Sequence, residues 1–327
     1  MVVLYDGDGD GPADPRPGAV AVGVFDGLHR GHQAVLAAVR ARAAERGLVP
    51  GVVTFDPAPA VVLTPERAPH RLQTLAQRLE GFATLGIERV RVVTFSAELA
   101  HEGADAFVDR VLVGEVHAAA VVVGEDFRFG RDREGDLARL VERGARAGFR
   151  AEGLRIVGEG GRFSSTAVRR ALAGGDVLEA ARVLGRPFTL RGRVAPGDAR
   201  GRELGYATAN LDLDPLQQLP ADGVYAALAR VAPGDWRAAA VSVGTRPQFY
   251  EDGARLVEGH VLDFAGDLYG VEIDLAFLAR LRDQAVFANE ADLTRRIALD
   301  VAATRSLAGR ATSERAELLR WDVGQRR

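Results

Sequence analysis

Two histidines near the start of the chain, His29 and His32, have a spacing that suits phosphate chemistry. They lie in the segment GVFDGLHRGH, residues 23–32. Residues three apart share one face of a helix, so two imidazoles there could donate hydrogen bonds to phosphate oxygens as negative charge develops. Taken alone, such a pair is more often an ordinary helix start, because short motifs recur by chance. The same segment contains four further candidate phosphate-binding residues, Gly23, Phe25, Asp26 and Gly31.

The elements that must position this segment alternate along the first half of the chain. An apolar run predicts a buried strand at 19–24, and an Ala-rich stretch predicts a helix at 33–46 that ends at Gly47. The segment then joins a strand to a helix N-terminus, which attracts phosphate. The same pattern continues with predicted strands at 51–55, 90–95, 119–124 and 154–157 and predicted helices at 71–85, 104–113 and 136–147. Strands separated by helices indicate a doubly wound parallel sheet over residues 1–185, preceded by a flexible tail at 1–18.

The second half of the chain, 186–327, has a different pattern. Its apolar segments are short, and Gly, Asp and Pro turns separate them, at 189–194, 223–231, 238–243, 257–264 and 271–277. This spacing predicts a small antiparallel β-barrel or sandwich. Helical periodicity at 290–307 predicts a C-terminal helix packed against it, and the polar stretch 310–327 is expected to fray.

Composition narrows the possible chemistry. The chain has 327 residues, which is more than one hydrophobic core usually serves, so two domains are expected. All 42 basic residues are arginine, which excludes a lysine phosphate loop and a Schiff-base lysine. With 45 acidic residues and a net charge of −3, the balance argues against nucleic-acid binding. Cysteine is absent and no apolar run is long enough to span a bilayer, so we expect a cytoplasmic protein that does not bind membranes.

Three ordered segments of the first half resemble one known family. The segment at 23–32, VGEDFRFG at 123–130 and FSSTAVR at 163–169 resemble the signatures of bacterial bifunctional riboflavin kinase/FAD synthetases, members of the HxGH nucleotidyltransferase superfamily. The resemblance implies that this domain transfers the adenylyl group of ATP to FMN with Mg²⁺ present, releasing pyrophosphate. It places phosphate contacts at Ser164, Ser165, Thr166 and Arg169. It also places Asp126 and Phe127 near the flavin or ATP, although Phe127 could equally be a core residue.

The second half resembles the riboflavin kinase part of the same family. The matching segments are a Gly- and Arg-rich loop at 192–202, LGYATAN at 204–210 and VEGHVLDF at 257–264. The resemblance implies ATP contacts from Gly192, Arg202, Thr208 and Asn210. Thr208 and Asn210 alternate along an extended segment, so both project to one side, where their oxygens could hold Mg²⁺. Glu258 is implied as the base that accepts the proton of the ribityl hydroxyl of riboflavin while phosphate is transferred.

Two residues depart from the family pattern. Ala58 stands where the family usually has a phosphate-contacting His, so we expect weaker adenylylation. Ala207 stands where the family has Pro before Thr208, a change that makes the segment less rigid but should cost little stability. The expected substrates are riboflavin, FMN and ATP, and a homo-oligomer is possible. Two alternatives stay open: a riboflavin kinase with a silent adenylyltransferase domain, and a non-catalytic flavin-binding protein.

Overall fold

The computed structural model describes residues 1–4, 15–155, 163–196, 206, 208–231, 235–245 and 255–314. Contacts divide these residues into two compact units. The first contains Met1–His70 and Leu75–Phe163, and the second contains Arg71–Thr74 and the described residues from Ser164 onwards. No helix in the described part of the chain combines the length and the apolar character that a membrane crossing requires.

The first unit is built on a six-stranded parallel sheet in the order β1-β4-β3-β2-β5-β6, as predicted for this half. From β2 the chain adds β3 and β4 on one side, and β5 and β6 on the other. The order therefore reverses between β2 and β5, and ligands of such sheets bind beyond the carboxyl ends of the strands at that point. The strands are β1 (Val2–Leu4), β2 (Gly18–Val22), β3 (Val49–Phe55), β4 (Arg89–Val93), β5 (Ala118–Gly124) and β6 (Arg150–Leu154).

Helices connect these strands. The strands β2, β3 and β4 are buried along almost their whole length, as expected for a sheet covered on both faces. The first helix ends as predicted, because Gly47 adopts φ 64° and its N–H caps the carbonyl of Ala43. The helices of this unit are α1 (Arg30–Arg46), α2 (Pro59–Leu63), α3 (Leu75–Thr84), α4 (Ala97–Ala100), α5 (Ala104–Phe107), which continues as a π-helix (Val108–Glu115), and α6 (Leu137–Ala147), with short 3₁₀ turns at Pro65–Arg67 and Arg131–Arg133.

Some predicted boundaries were wrong. The helix predicted at 71–85 starts only at Leu75, because the N–H of Arg71 donates to the carbonyl of Leu216 at 2.7 Å. The strand predicted at 154–157 runs instead from Arg150 to Leu154, and residues 156–157 lie outside the described residues. Within the predicted tail, Val2–Leu4 forms a strand that pairs with β4, and residues 5–14 lie outside the described residues.

The second unit is a closed barrel of six antiparallel strands in the order β10-β11-β8-β7-β12-β9. Closure decides between the predicted barrel and sandwich in favour of the barrel, which leaves no exposed sheet edge. Two helices precede it, α7 (Ser165–Ala173) and α8 (Val177–Leu184). The strands are β7 (Thr189–Ala195), β8 (Ala209–Asp212), β9 (Gly223–Val231), β10 (Trp236–Thr245), β11 (Arg255–Val261) and β12 (Glu272–Arg282).

The predicted C-terminal helix is present and longer than expected. It runs from Glu290 to Glu314, so it includes part of the stretch that was expected to fray, while 315–327 lie outside the described residues. Its residues Ala308 and Ala311 pack with an apolar cluster of the barrel that includes Leu228. Asp300 on the helix receives the guanidinium of Arg282 at 2.8 and 3.0 Å, which ties the helix to the end of β12.

The division between the units lies earlier than the predicted boundary at 185. Helices α7 and α8 pack on each other, and α8 packs on β12. The N–H of Ala221, before β9, also donates to the carbonyl of Leu172 on α7 at 2.8 Å. Both helices therefore belong to the compact unit of the barrel, whereas the division of the sequence at 185 stays a prediction.

Candidate functional site

The loop between β2 and α1 makes a sharp turn at the carboxyl end of the sheet. Phe25 and Leu28 have φ values of 56° and 43°, and Gly27 has a φ of 85°. Positive φ is uncommon outside glycine and costs conformational energy, so the packed surroundings must hold this backbone in place. Leu28 is completely buried, and its N–H donates to the carbonyl of Phe25 at 3.1 Å.

The two histidines of this loop stack on each other. Their ring centroids lie 3.6 Å apart, with an angle of 20° between the planes. His29 is the N-cap of α1, and its Nδ1 accepts a hydrogen bond from the N–H of His32 at 3.3 Å. Because Nδ1 accepts, the neutral ring of His29 carries its proton on Nε2. The two rings therefore lie together, as their spacing predicted, and a phosphate contact from His29 stays a prediction.

His32 is held as a neutral imidazole. Burial, together with the neighbouring His29, keeps the pKa of His32 well below its ordinary value. Its Nδ1 is buried and makes no hydrogen bond within the part of the chain that the structure describes. The ring also meets the edge of Phe25, with centroids 5.1 Å apart. A neutral imidazole can hydrogen-bond to phosphate oxygens but adds no fixed charge.

The other predicted residues of the loop support the turn. The N–H of Gly23 donates to the carbonyl of Val53 at 3.0 Å, and a Cβ at Gly23 would lie 3.2 Å from the ring of Phe25. The Phe25 ring is buried against Phe82, with centroids 5.5 Å apart. Gly31 is buried in the first turn of α1, and Asp26 is partly buried. Phe25 therefore acts through packing, while its backbone shapes the loop.

A buried arginine that sequence analysis missed, Arg78 on α3, joins this loop to the end of β3. Its Nη1 donates to the carbonyl of Val24 at 2.8 Å. Its Nη2 donates to the carbonyl of Phe55 at 3.2 Å and to the carboxylate of Asp56 at 3.1 Å. The signal in the sequence was its place four residues before Phe82, on the face of α3 that must be buried.

The loop after β5 leaves the sheet beside the histidine loop, because β2 and β5 are neighbours. The N–H of Phe127 donates to the carbonyl of Gly124 at 3.0 Å, which closes a tight turn with Asp126 exposed. The ring of Phe127 is partly buried and stacks on Phe129, with centroids 5.3 Å apart. The adjacent Phe107 extends this aromatic surface. Phe127 therefore packs on the core while its side chain stays partly exposed, and its contact with flavin or ATP stays a prediction.

The third predicted segment begins α7 in the second unit. Ser164 is the N-cap, and its Oγ accepts from the N–H of Ala167 at 3.2 Å. Ser165 and Thr166 occupy the first turn, and Arg169 is partly buried. Ser164 therefore caps α7, and phosphate contacts from these four residues stay a prediction.

The barrel brings together two of the residues predicted for its own site, Glu258 and Asn210. Glu258 on β11 lies directly opposite Asn210 on β8, and opposite Ser242 on β10. Residues opposed in this way have Cβ atoms about 4.5–5.5 Å apart. The neighbours of Glu258 along the strand, Val257 and Gly259, are buried, so Glu258 projects to the outer face. Thr208, which directly precedes β8, is exposed.

The remaining predicted residues of the barrel are placed differently. Gly192 lies within β7, where a Cβ would come within 2.8 Å of the carbonyl of Asp212 and 2.6 Å of Leu213. Close packing of two strands therefore accounts for glycine at this position. Arg202 and Ala207 lie outside the described residues.

The fold, the stacked histidines and the Glu258–Asn210 pair define the class of protein. It is a nucleotide transferase of two units, with an imidazole pair where the strand order of a parallel sheet reverses and a carboxylate on a β-barrel. The FAD synthetase family model matches residues 11–167, and the riboflavin kinase model matches residues 184–308. The chain belongs to the bifunctional riboflavin kinase/FMN adenylyltransferase family, which confirms the resemblance.

Individual relatives match almost end to end. The bifunctional riboflavin kinase/FMN adenylyltransferase of Pseudomonas fluorescens is 43% identical over 293 residues, which cover 89% of this chain and 93% of that one. The protein of the same name from Escherichia coli (strain K12) is 37% identical over 302 residues, covering 90% and 94%. A crystal structure described as a macrolide-efflux protein from Streptococcus pneumoniae has a TM-score of 0.83 at 30% identity, covering 93% and 99%.

Proposed function

We propose that this chain phosphorylates riboflavin to FMN and adenylylates FMN to FAD, using ATP in both reactions. The observation that carries this conclusion is that two different enzyme models match two separate parts of one chain. The first part includes the stacked histidines, and the second includes Glu258 and Asn210. Both parts are present, which favours the bifunctional enzyme over a kinase with a silent partner domain.

In the adenylylation, a phosphate oxygen of FMN attacks the α-phosphorus of ATP. The new O–P bond forms as the bond from the α-phosphorus to the bridging oxygen breaks, and pyrophosphate leaves with that electron pair. His29 donates from Nε2 to a phosphate oxygen, an orientation fixed by the bond that its Nδ1 accepts. His32, kept neutral, stacks on His29 and hydrogen-bonds the same anionic group. We propose further phosphate contacts from Ser164, Ser165, Thr166 and Arg169.

In the phosphorylation, the ribityl hydroxyl of riboflavin attacks the γ-phosphorus of ATP, and ADP leaves. Glu258 accepts the hydroxyl proton as the O–P bond forms. Its place opposite Asn210 supports this role, because the base then lies beside a side chain suited to ATP phosphates. In the first unit, Phe127 and Asp126 are proposed flavin contacts, supported by the stacked and partly exposed ring of Phe127.

The oxygen donors of the barrel fit Mg²⁺. Within the described residues, no group of three or more His, Cys, Asp or Glu side chains could hold a metal ion. Mg²⁺ does not need such a cluster, because it often binds through one or two protein oxygens and completes its coordination shell with water and substrate phosphates. Thr208 and Asn210 would hold it beside ATP. A bound Mg²⁺ would neutralise negative charge on the transferring phosphoryl group.

Substitution of the proposed base tests whether the two reactions use separate catalytic residues. Glu258→Gln should lower FMN formation from riboflavin by about 10²-fold to 10⁴-fold, the usual contribution of a general base. FAD formation from added FMN should stay at the wild-type rate, because the histidine loop lies in the first unit. Glu272→Gln is the matched control, since Glu272 is an exposed glutamate on another strand of the same barrel. Loss of both activities in a folded Glu258→Gln protein would refute the separation.

A further inference from the structure

Arg78, on α3, is a buried arginine that bonds two of the loops at the carboxyl end of the sheet. Only 6% of its side chain is exposed. One guanidinium nitrogen bonds the loop after β2 through Val24, and another bonds the end of β3 through Phe55 and Asp56. A planar guanidinium with five donors can reach both loops at once, which an ammonium cannot do with fixed geometry.

The bond to Val24 lies where the backbone most needs support. Val24 directly precedes Phe25, whose φ of 56° is unfavourable for a side chain of its size. Thr54 donates to the same carbonyl at 3.2 Å, and the Phe82 ring, one turn along α3, packs on Phe25. The turn that aims His29 and His32 is thus held from α3 by one hydrogen-bonding and one aromatic side chain.

We propose that Arg78 is a positioning residue for adenylyl transfer: by bonding Val24, Phe55 and Asp56 at once, it fixes the histidine loop against the end of β3. This inference rests on the proposed function of the histidine loop. The role is geometric, because the guanidinium bonds carbonyls and a carboxylate and no substrate contact is invoked. Misplacement of catalytic groups by about 1 Å can cost about 10²-fold in rate.

The first unit contains a matched control at the opposite edge of the sheet. Arg89, also buried, donates to the carbonyls of Val116 and Arg16, both at 2.9 Å. These two residues precede β5 and β2, so Arg89 joins the amino ends of two strands, at the end of the sheet away from the histidine loop. Replacement of either arginine by glutamine removes a buried guanidinium from the same unit, but only one of them supports the histidine loop.

The test compares Arg78→Gln, Arg78→Lys and Arg89→Gln in the full chain. Circular dichroism and the thermal unfolding of each variant report that the first unit is folded, and riboflavin phosphorylation reports the same for the barrel. Wild-type conversion of FMN to FAD shows that the proposed function holds before any variant is judged. We expect kcat for FAD formation to fall about 10²-fold in Arg78→Gln. KM for ATP and FMN should change by less than about 5-fold, because binding energy away from the reacting centre is retained. Arg78→Lys should recover at most a tenth of the wild-type kcat, because one ammonium cannot bond both loops.

Hydrogen exchange gives a second readout that does not depend on activity. In Arg78→Lys, amides of residues 23–32 should exchange faster, while those of β5 should keep their protection; in Arg89→Gln the histidine loop should be unchanged. A kcat of Arg78→Lys within 3-fold of that of Arg89→Gln, or unchanged exchange at 23–32, would overturn the proposal. If Arg78→Gln does not fold, the lysine variant decides the question on the same two criteria.

Discussion

Substitution of His29 separates its capping role from its proposed catalytic role. Its Nδ1 caps α1 by accepting from the N–H of His32, and its Nε2 is the donor proposed for phosphate. Asparagine is among the best N-cap residues, and its Oδ1 can accept the same bond, but it places no donor where Nε2 lies. Alanine removes both functions. His29→Asn and His29→Ala therefore share the catalytic loss and differ in stability.

The expected magnitudes follow from these contacts. Loss of a donor to a developing charge costs about 10²-fold to 10³-fold in kcat, so both variants should lose FAD formation by that factor. Loss of the cap costs about 1 kcal/mol, which applies to alanine alone. In a domain of this size, that shifts Tm by about 2–4 °C.

The assay follows FAD formation from FMN and ATP by chromatography, with Tm measured by calorimetry and riboflavin phosphorylation as the internal control. His101→Asn is the matched variant, because His101 is an exposed histidine at the end of α4. It should leave both activities unchanged. If His29→Asn formed FAD at the wild-type rate, the histidine would be only a cap, and the proposed chemistry of the loop would be refuted.

Three further predictions address other parts of the molecule. Ala58→His should raise kcat for FAD formation by up to about 10-fold in steady-state assays, because it restores a donor at the end of β3; a lower or unchanged kcat would show that the position does not contribute. The pKa of His32 is lowered in the folded state, so as pH falls below 6.5 the unfolded chain binds a proton at His32 before the folded chain does, and the free energy of unfolding decreases. In urea titrations between about pH 6.5 and 5, His32→Asn should therefore lose less stability than the wild type. Asp274 is buried between two barrel arginines, so Asp274→Asn should lower the free energy of unfolding by about 3 kcal/mol. Asp263→Asn should change it little in the same urea titrations, because Asp263 is exposed; equal losses would contradict the importance of the buried network.

Local sequence signals predicted most of the fold and the positions of the main motifs. The apolar strands, the alternation with helices and the cap at Gly47 are encoded by neighbouring residues, and they were confirmed. Contacts between residues far apart in the sequence could not be predicted from such local signals. Arg71 has a helical neighbourhood, yet its backbone bonds Leu216, and Val2–Leu4 is too short to be recognised without β4 beside it.

The candidate site could also be predicted only where local spacing determines it. The spacing of His29 and His32 predicted a shared face, and the structure adds the stacking and the hydrogen bond that orients His29. The register that sets Glu258 opposite Asn210 depends on how β8 joins the barrel, which no local pattern specifies. Arg78 was missed because an arginine on a helix is usually a surface residue, and only the packed loops reveal what it binds.

The most direct measurement of the central claim is the conversion of FMN by the purified wild-type chain supplied with Mg-ATP. FAD and pyrophosphate should form in equal amounts, and in a parallel reaction riboflavin should give FMN and ADP. If riboflavin were phosphorylated while FMN stayed unchanged over many kinase turnovers, the stacked imidazoles would not serve adenylyl transfer, and the proposed function of the first unit would be refuted.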